Sequence, residues 1–161
     1  MIDRPDFDTI FMTLALHLAE RSRCMRRHVG VVIAKDTRVV STGYNGPPSG
    51  APHCEDLYGK AGCPKTLGGT CSVAIHAEEN AISYANKNGI QLKDAVLYTT
   101  LSPCLPCAKL IYTVGISQVV YLKSYAEYKQ IHTEEGLNFL SQFNVKVQQY
   151  TESKLKIPPL V

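Results

Sequence analysis

The chain has 161 residues, 45% of them hydrophobic and 19% charged, which is ordinary globular usage and excludes a disordered chain of low hydrophobicity and high net charge. Its length fits one compact domain, residues 1–161, and leaves little room for a second core. With 17 Lys and Arg against 14 Asp and Glu, a formal charge of +3 gives no argument for a nucleic-acid partner.

The start, MIDRPDFDTI, carries acids and a proline where a signal peptide needs a basic stretch and then an apolar run. No segment is apolar over membrane-spanning length, so a soluble, intracellular chain is expected. From Asp8 to Ser22, Ile10, Phe11, Leu14, Ala15, Leu18 and Ala19 recur at helical spacing, with Asp8 or Thr9 as the expected cap. The β-branched stretches His28 to Ala34 and Arg38 to Thr42, separated by Lys35, Asp36 and Thr37, predict a hairpin.

Next comes GYNGPPSGAPHCEDLYGKAGCPKTLGGTC, where glycine, proline and polar residues defeat both periodicities. A structureless loop of this length is either functional or held by something. His76 to Asn88 predicts a helix closed by Gly89. After it follow a strand at Ala95 to Thr100, a helix from Cys104 to Val114 ending at Gly115, and a strand at Ser117 to Leu122. A helix from Thr133 to Phe143 and a strand from Val145 to Tyr150 complete the order αββαβαβαβ, with residues 151–161 a loose tail. Helices of crossover length between the later strands imply parallel pairing, hence a mixed five-stranded sheet flanked by helices.

Six cysteines in a reducing compartment point to metal binding or catalysis, not to a disulfide framework. His76-Ala77-Glu78 opens one predicted helix and Ser102-Pro103-Cys104-Leu105-Pro106-Cys107 opens the next. Cys104 and Cys107 lie one helical turn apart, so both sulfurs reach one ion, and the helix dipole favours their thiolates. With His76 they fill three corners of a zinc tetrahedron and leave the fourth for water, the arrangement of a catalytic zinc. Glu78, two residues beyond His76, is placed to take and deliver a proton. Taken singly, a C-x-x-C also suits a redox pair or a structural knuckle, and a lone His suits a cap. Together they form the H-x-E and P-C-x-x-C signature of zinc deaminases.

On these residues the sequence resembles the zinc-dependent cytidine deaminase superfamily, in its deoxycytidylate branch. The resemblance runs through Cys24 to Gly30, the loop Gly43-Tyr44-Asn45-Gly46-Pro47-Pro48-Ser49-Gly50, Pro52 to Cys54, Cys71 to Glu78, and Ser102 to Lys109. It implies an α/β, three-layer cytidine deaminase-like fold and hydrolytic deamination of dCMP to dUMP and ammonia, supplying dUMP for thymidylate synthesis. Glu78 is then the proton carrier and no metal ligand. The Ala77 backbone lies near the pyrimidine, the Ser102 or Pro103 backbone near the exocyclic amine, Asn45 against the sugar 3'-hydroxyl, and Tyr125 near the base. The resemblance further implies a homo-oligomer, commonly a hexamer, in the cytoplasm, or the host cytoplasm for a viral chain. It also implies an allosteric nucleotide site involving Gly43, Tyr44, Asn45, Gly46 and Gly50, where dCTP, with Mg2+, activates and dTTP inhibits. The bland reading of that loop is a plain turn.

For the substrate phosphate, Arg26 and Arg27 are candidates, though a basic pair also suits a solvated face. Cys24, Cys54, Cys63 and Cys71 suit a second, structural zinc with four thiolates, with His53 able to replace one; otherwise they are buried small apolar residues. Two rivals remain: a deaminase of the same superfamily acting on RNA or on another base, and a non-catalytic zinc module. A charge of +3 gives only weak support for RNA, the Gly43 to Gly50 loop and the added cysteines favour a mononucleotide, and a carboxylate beside an open metal position argues against the module.

Overall fold

The computed structural model describes residues 4–59, 63, 71–125 and 134–151. Helix α1 (Phe7–Ala19) is followed by strands β1 (Gly30–Lys35) and β2 (Arg38–Tyr44), a short helix α2 (Cys54–Tyr58) and helix α3 (Ala77–Lys87). Strand β3 (Val96–Leu101), helix α4 (Leu105–Thr113), strand β4 (Gln118–Lys123), helix α5 (Glu135–Gln142) and strand β5 (Lys146–Gln149) complete the described elements. The expected order therefore stands with one addition, α2, inside the stretch read as loop. The expected start of α5 at Thr133 and the tail beyond Thr151 lie outside the described residues.

The strands form one sheet in the order β2-β1-β3-β4-β5. β1 is antiparallel to both β2 and β3, whereas β3, β4 and β5 are parallel, as the crossover helices require. The β1–β2 turn is made by Asp36 and Thr37, both at positive φ (50° and 60°), the backbone of a two-residue hairpin. Gly89 and Gly115, expected to close α3 and α4, follow those helices at φ 67° and 80°.

Both faces of the sheet are covered, which is why the interior strand β1 (GVVIAK) reads as a continuous apolar run with no alternation. On one face Ala81, Ile82 and Ala85 of α3, Ala108 and Ile111 of α4 and Leu140 of α5 pack on Val31, Ile33, Leu97 and Val119. On the other, Phe11, Met12 and Ala15 of α1 pack on Val32, Tyr98, Val120 and Leu122. The result is the three-layer arrangement expected. α1 is capped by Asp6, whose Oδ1 accepts from Thr9 N at 2.7 Å, and not by Asp8 or Thr9. Asp8 instead accepts from the Tyr98 hydroxyl at 2.7 Å, and Thr9 Oγ1 is 2.7 Å from the Tyr150 hydroxyl. These two contacts fasten α1 to the sheet. Among the described residues no helix is long and apolar enough to cross a membrane.

Candidate active site

α3 and α4 leave the same face of the sheet, and each begins at a ligand-type residue. His76 is the N-cap of α3 and Cys104 the N-cap of α4, yet neither uses its side chain as a cap. Two prolines fix the start of α4. Pro103 immediately precedes the cap, and Pro106 sits in the first turn, where the missing N–H has no intrahelical partner to lose. Cys107 then lies one turn along and faces the same way as Cys104. Glu78 and Glu79 occupy the first turn of α3, where the helix dipole favours acids.

His76 Nδ1 lies 3.4 Å from Cys104 Sγ and 3.3 Å from Cys107 Sγ. Zinc bonds of about 2.3 Å to sulfur and about 2.0 Å to nitrogen, at a tetrahedral angle, separate the two donors by about 3.5 Å. The donor set therefore fits zinc in chemistry and in span. Among the described residues His76, Cys104 and Cys107 are the potential ligands lying mutually within 4.8 Å, and Glu78 is outside the group.

The electrostatics suit a cation. The hydrogen bond with Cys107 and then the interaction with His76 bring the Cys104 thiol down to about 4, against the effect of burial. Cys107, as the proton-bearing partner of that thiolate and in a buried position, is raised. The Cys104 thiolate in turn holds the His76 imidazole up at about 9 although burial opposes it. Glu78 is 4% exposed, and burial pushes its carboxyl up to about 7, with its own backbone amide and the Cys107 thiol pulling the other way.

The sequence-predicted neighbours fall in three groups. Asn45 is buried. Its Oδ1 accepts from Val29 N at 2.8 Å and its Nδ2 donates to the Arg27 carbonyl at 2.9 Å, bracing the approach to β1. One amide proton and one lone pair remain for a ligand. Ser102 is buried, its hydroxyl accepts from Tyr125 N at 2.7 Å, and its own N–H donates to the Lys123 carbonyl at 2.8 Å. The Arg27 guanidinium lies over the Tyr125 ring, 4.5 Å from its centroid. Arg27, His28 and Lys123 also line a cavity of about 270 Å³ that reaches Thr100 and Leu101 at the end of β3. Lys123 carried no motif that sequence reasoning could single out, and His28 lay inside the resembling segment Cys24 to Gly30 without a role of its own. Arg26 is exposed, and its charge acts to lower the Cys71 thiol.

The glycines of the 43–50 loop differ in surroundings. A methyl group on Gly43 would overlap the Ala77 carbonyl oxygen and lie 2.7 Å from the Ala81 amide, so β2 meets the first turn of α3 through a bare backbone. Gly46 pairs with Ile75, with N–H···O distances of 3.3 and 2.9 Å, next to His76. Asn80 Nδ2, unnoticed in the sequence, donates to the Tyr44 carbonyl at 2.8 Å, and Ser41 Oγ donates to the Ala81 carbonyl at 2.7 Å. Gly50, at φ +88°, is exposed with open space around it.

All six cysteines are free thiols. Cys54 and Cys71 approach to 3.8 Å between sulfurs. Burial, the hydrogen bond with Cys71 and the charges of Cys71, Cys63 and Cys24 together push the Cys54 thiol up to about 11. Burial alone would raise Cys71, but amide hydrogen bonds from Ala74 and Val73, at 3.2 and 3.5 Å, help to leave it lowered. Arg23, beside Cys24, forms an ion pair with Glu55, beside Cys54. His53 is the N-cap of α2, and its N–H donates to Asp56 Oδ2 at 3.0 Å.

A family model described as the cytidine and deoxycytidylate deaminase zinc-binding region matches residues 5–123. The chain is 39% identical over 154 residues to deoxycytidylate deaminase of Saccharomyces cerevisiae, covering 92% of this chain and 46% of the relative. It therefore spans about half the length of that yeast protein. It is 42% identical over 134 residues to deoxycytidylate deaminase of Mycobacterium phage D29, covering 76% of this chain and 98% of that one. The crystal structure of dCMP deaminase from the cyanophage S-TIM5 in complex with dCMP and dUMP matches with a TM-score of 0.75 at 27% identity. That match covers 92% of this chain and 99% of the cyanophage chain.

Proposed function

Because the chain belongs to the cytidine and deoxycytidylate deaminase family, whose zinc-binding region covers residues 5–123, we propose that it is one catalytic domain that deaminates dCMP to dUMP and ammonia. The observation that carries this is the buried Glu78 carboxyl beside the His76, Cys104 and Cys107 donor group. Those three residues would hold zinc, which when bound supplies hydroxide near neutral pH. Glu78 takes the proton that water releases as oxygen adds to C4 of the ring. It delivers that proton to ring N3 and assists loss of the exocyclic nitrogen as ammonia, so a C–O bond forms and the C4–N bond breaks. A carboxyl raised to about 7 by burial is suited to both halves of that transfer.

Substrate orientation falls to groups around this pair. The Ala77 N–H, in the first turn of α3, has no intrahelical partner and is directed to the pyrimidine. The Ser102 backbone receives the exocyclic amine, since the Pro103 carbonyl is turned toward Gly136 of α5. The free donor and lone pair of Asn45 meet the sugar 3'-hydroxyl, and Tyr125 borders the base. The phosphate goes to Arg27 with Lys123 and His28, the cationic lining of a cavity that Leu16 and Ala19 of α1 also border, in preference to Arg26.

The proposal extends to a structural zinc on Cys24, Cys54, Cys63 and Cys71, with His53 beside Cys54 as the substitute ligand. Its support is the 3.8 Å approach of Cys54 to Cys71, although no three of the four ligand atoms lie mutually within 4.8 Å. A homohexamer, a cytoplasmic setting that keeps the thiols reduced, and regulation by dCTP with Mg2+ and by dTTP through the 43–50 loop complete the reading.

The test is ammonia release from dCMP, dCTP, deoxycytidine and cytidine, with zinc per chain measured in parallel and with dCTP or dTTP added as effector. Turnover of dCMP above the others, with two zinc ions per chain, is the expected result. Turnover of another base alone moves the chain within the family, and silence on all four with zinc bound overturns the activity.

A further inference from the structure

The first turn of α5 lies against the backbone of the turn that carries Cys104. A methyl group on Gly136 would overlap the Pro103 carbonyl oxygen and lie 3.0 Å from the carbonyl carbons of both Pro103 and Cys104. All three contacts are backbone atoms, so no side chain can swing aside to make room.

A left-handed backbone does not account for this glycine. Its φ is outside the left-handed region, and inside a helix glycine costs about 1 kcal/mol relative to alanine. The same turn is held from its other side as well: the Ser102 N–H donates to Lys123 O at 2.8 Å, and the Ser102 hydroxyl accepts from Tyr125 N at 2.7 Å. Ser124, between those two, donates to the carboxylate of Glu134, the N-cap of α5. Residues 102–104 are thus gripped between the exit of β4 and the start of α5. Cys104 is the N-cap of α4 and its carbonyl already accepts from Ala108 N at 2.8 Å. Any shift of the Pro103 carbonyl is therefore passed to the Cys104 side chain, whose sulfur lies 3.4 Å from His76 Nδ1.

We propose that Gly136 is a positioning residue: its missing side chain lets α5 seat on the Pro103 carbonyl and so sets the aim of Cys104 at the His76 and Cys107 donors. The inference rests on the reading of those three residues as zinc ligands. It does not depend on which base is deaminated.

The experiment compares Gly136→Ala, Glu134→Ala and, as a control in the same helix, the exposed Asn138→Ala. Zinc affinity is measured by chelator competition, the cobalt-substituted protein by its visible spectrum, and the metal-free protein by circular dichroism and thermal melting. Gly136→Ala is expected to weaken zinc binding by roughly 10-fold to 100-fold, as loss of a ligand-orienting contact does, and to change the cobalt spectrum. It should lower kcat more than it raises KM, while the metal-free protein keeps its secondary structure. Glu134→Ala, which loosens the grip without adding volume, is expected to weaken zinc binding in the same direction by less, and Asn138→Ala to match the wild type.

A folded Gly136→Ala protein with wild-type zinc affinity and cobalt spectrum overturns the inference. If Gly136→Ala does not fold, Glu134→Ala with wild-type zinc affinity overturns it. A wild-type chain that holds zinc but releases no ammonia from any cytosine nucleotide removes the proposed activity, and the affinities and spectra still decide the role of Gly136.

Discussion

Near neutral pH a Glu78 carboxyl held at about 7 exists in comparable amounts with and without its proton, the condition for a group that must take a proton and return it. Glu78→Gln keeps the shape and removes the transfer. It is expected to lower kcat by about 10²–10⁴ with zinc per chain unchanged, as ammonia release and metal analysis would show. The same substitution should raise stability in alkaline solution. The folded-state value lies above the ordinary 4.5, so folding prefers the protonated form and stability falls as pH rises from 4.5 through 7. Melting curves should place Glu78→Gln above the wild type at pH 8, with the gap closing toward pH 4. His76, Glu78, Cys104 and Cys107 were legible in the sequence because metal and proton chemistry admit few residue types and fix their spacing. Asn80, Gly136 and the packing role of Gly43, a residue noted only for its loop, were not, because close approach to a distant element leaves no mark on the local pattern.

At the scale of elements, the position of α3 is set from β2. Gly43 meets the first turn of α3, Ser41 and Asn80 add side-chain hydrogen bonds, and Gly46 bridges Ile75 beside His76. Gly43→Ala forces a methyl group into backbone and is expected to cost about 1–3 kcal/mol, the range for overpacking. Urea unfolding should show the loss, and chelator competition should show weaker zinc binding because His76 moves with α3. Helix starts at His76 and Cys104 were readable from caps, acids and prolines. α2 was not, since five residues (CEDLY) make little more than one turn and no periodicity emerges from so short a window. The Asp6 cap was missed for a related reason: Asp6 and Asp8 are both plausible caps, and only the pairing of Asp8 with Tyr98, a residue on β3, separates them.

For the whole molecule, the order of strands and helices, the parallel run of β3, β4 and β5 and the helices on both faces followed from periodicity and connection length. How the layers are fastened did not, because the contacts involved join residues far apart in the chain. Tyr98 and Asp8, and Tyr150 and Thr9, tie α1 to the face of the sheet opposite α3 and α4. Tyr98→Phe removes one of these hydrogen bonds and is expected to cost about 1 kcal/mol of stability, read by thermal or urea unfolding, with kcat/KM for dCMP unchanged because Tyr98 lines neither the donor group nor the cationic cavity.

The bridge between Gly46 and Ile75 also closes a ring. The 28 residues between those positions leave and return at one point, so residues added between them lengthen the ring without stretching the bridge. Doubling a ring's length adds only about 0.6 kcal/mol of closure entropy. This is where an evolving or engineered chain can accept inserted sequence, even a small folded module, while the ligand histidine stays in register.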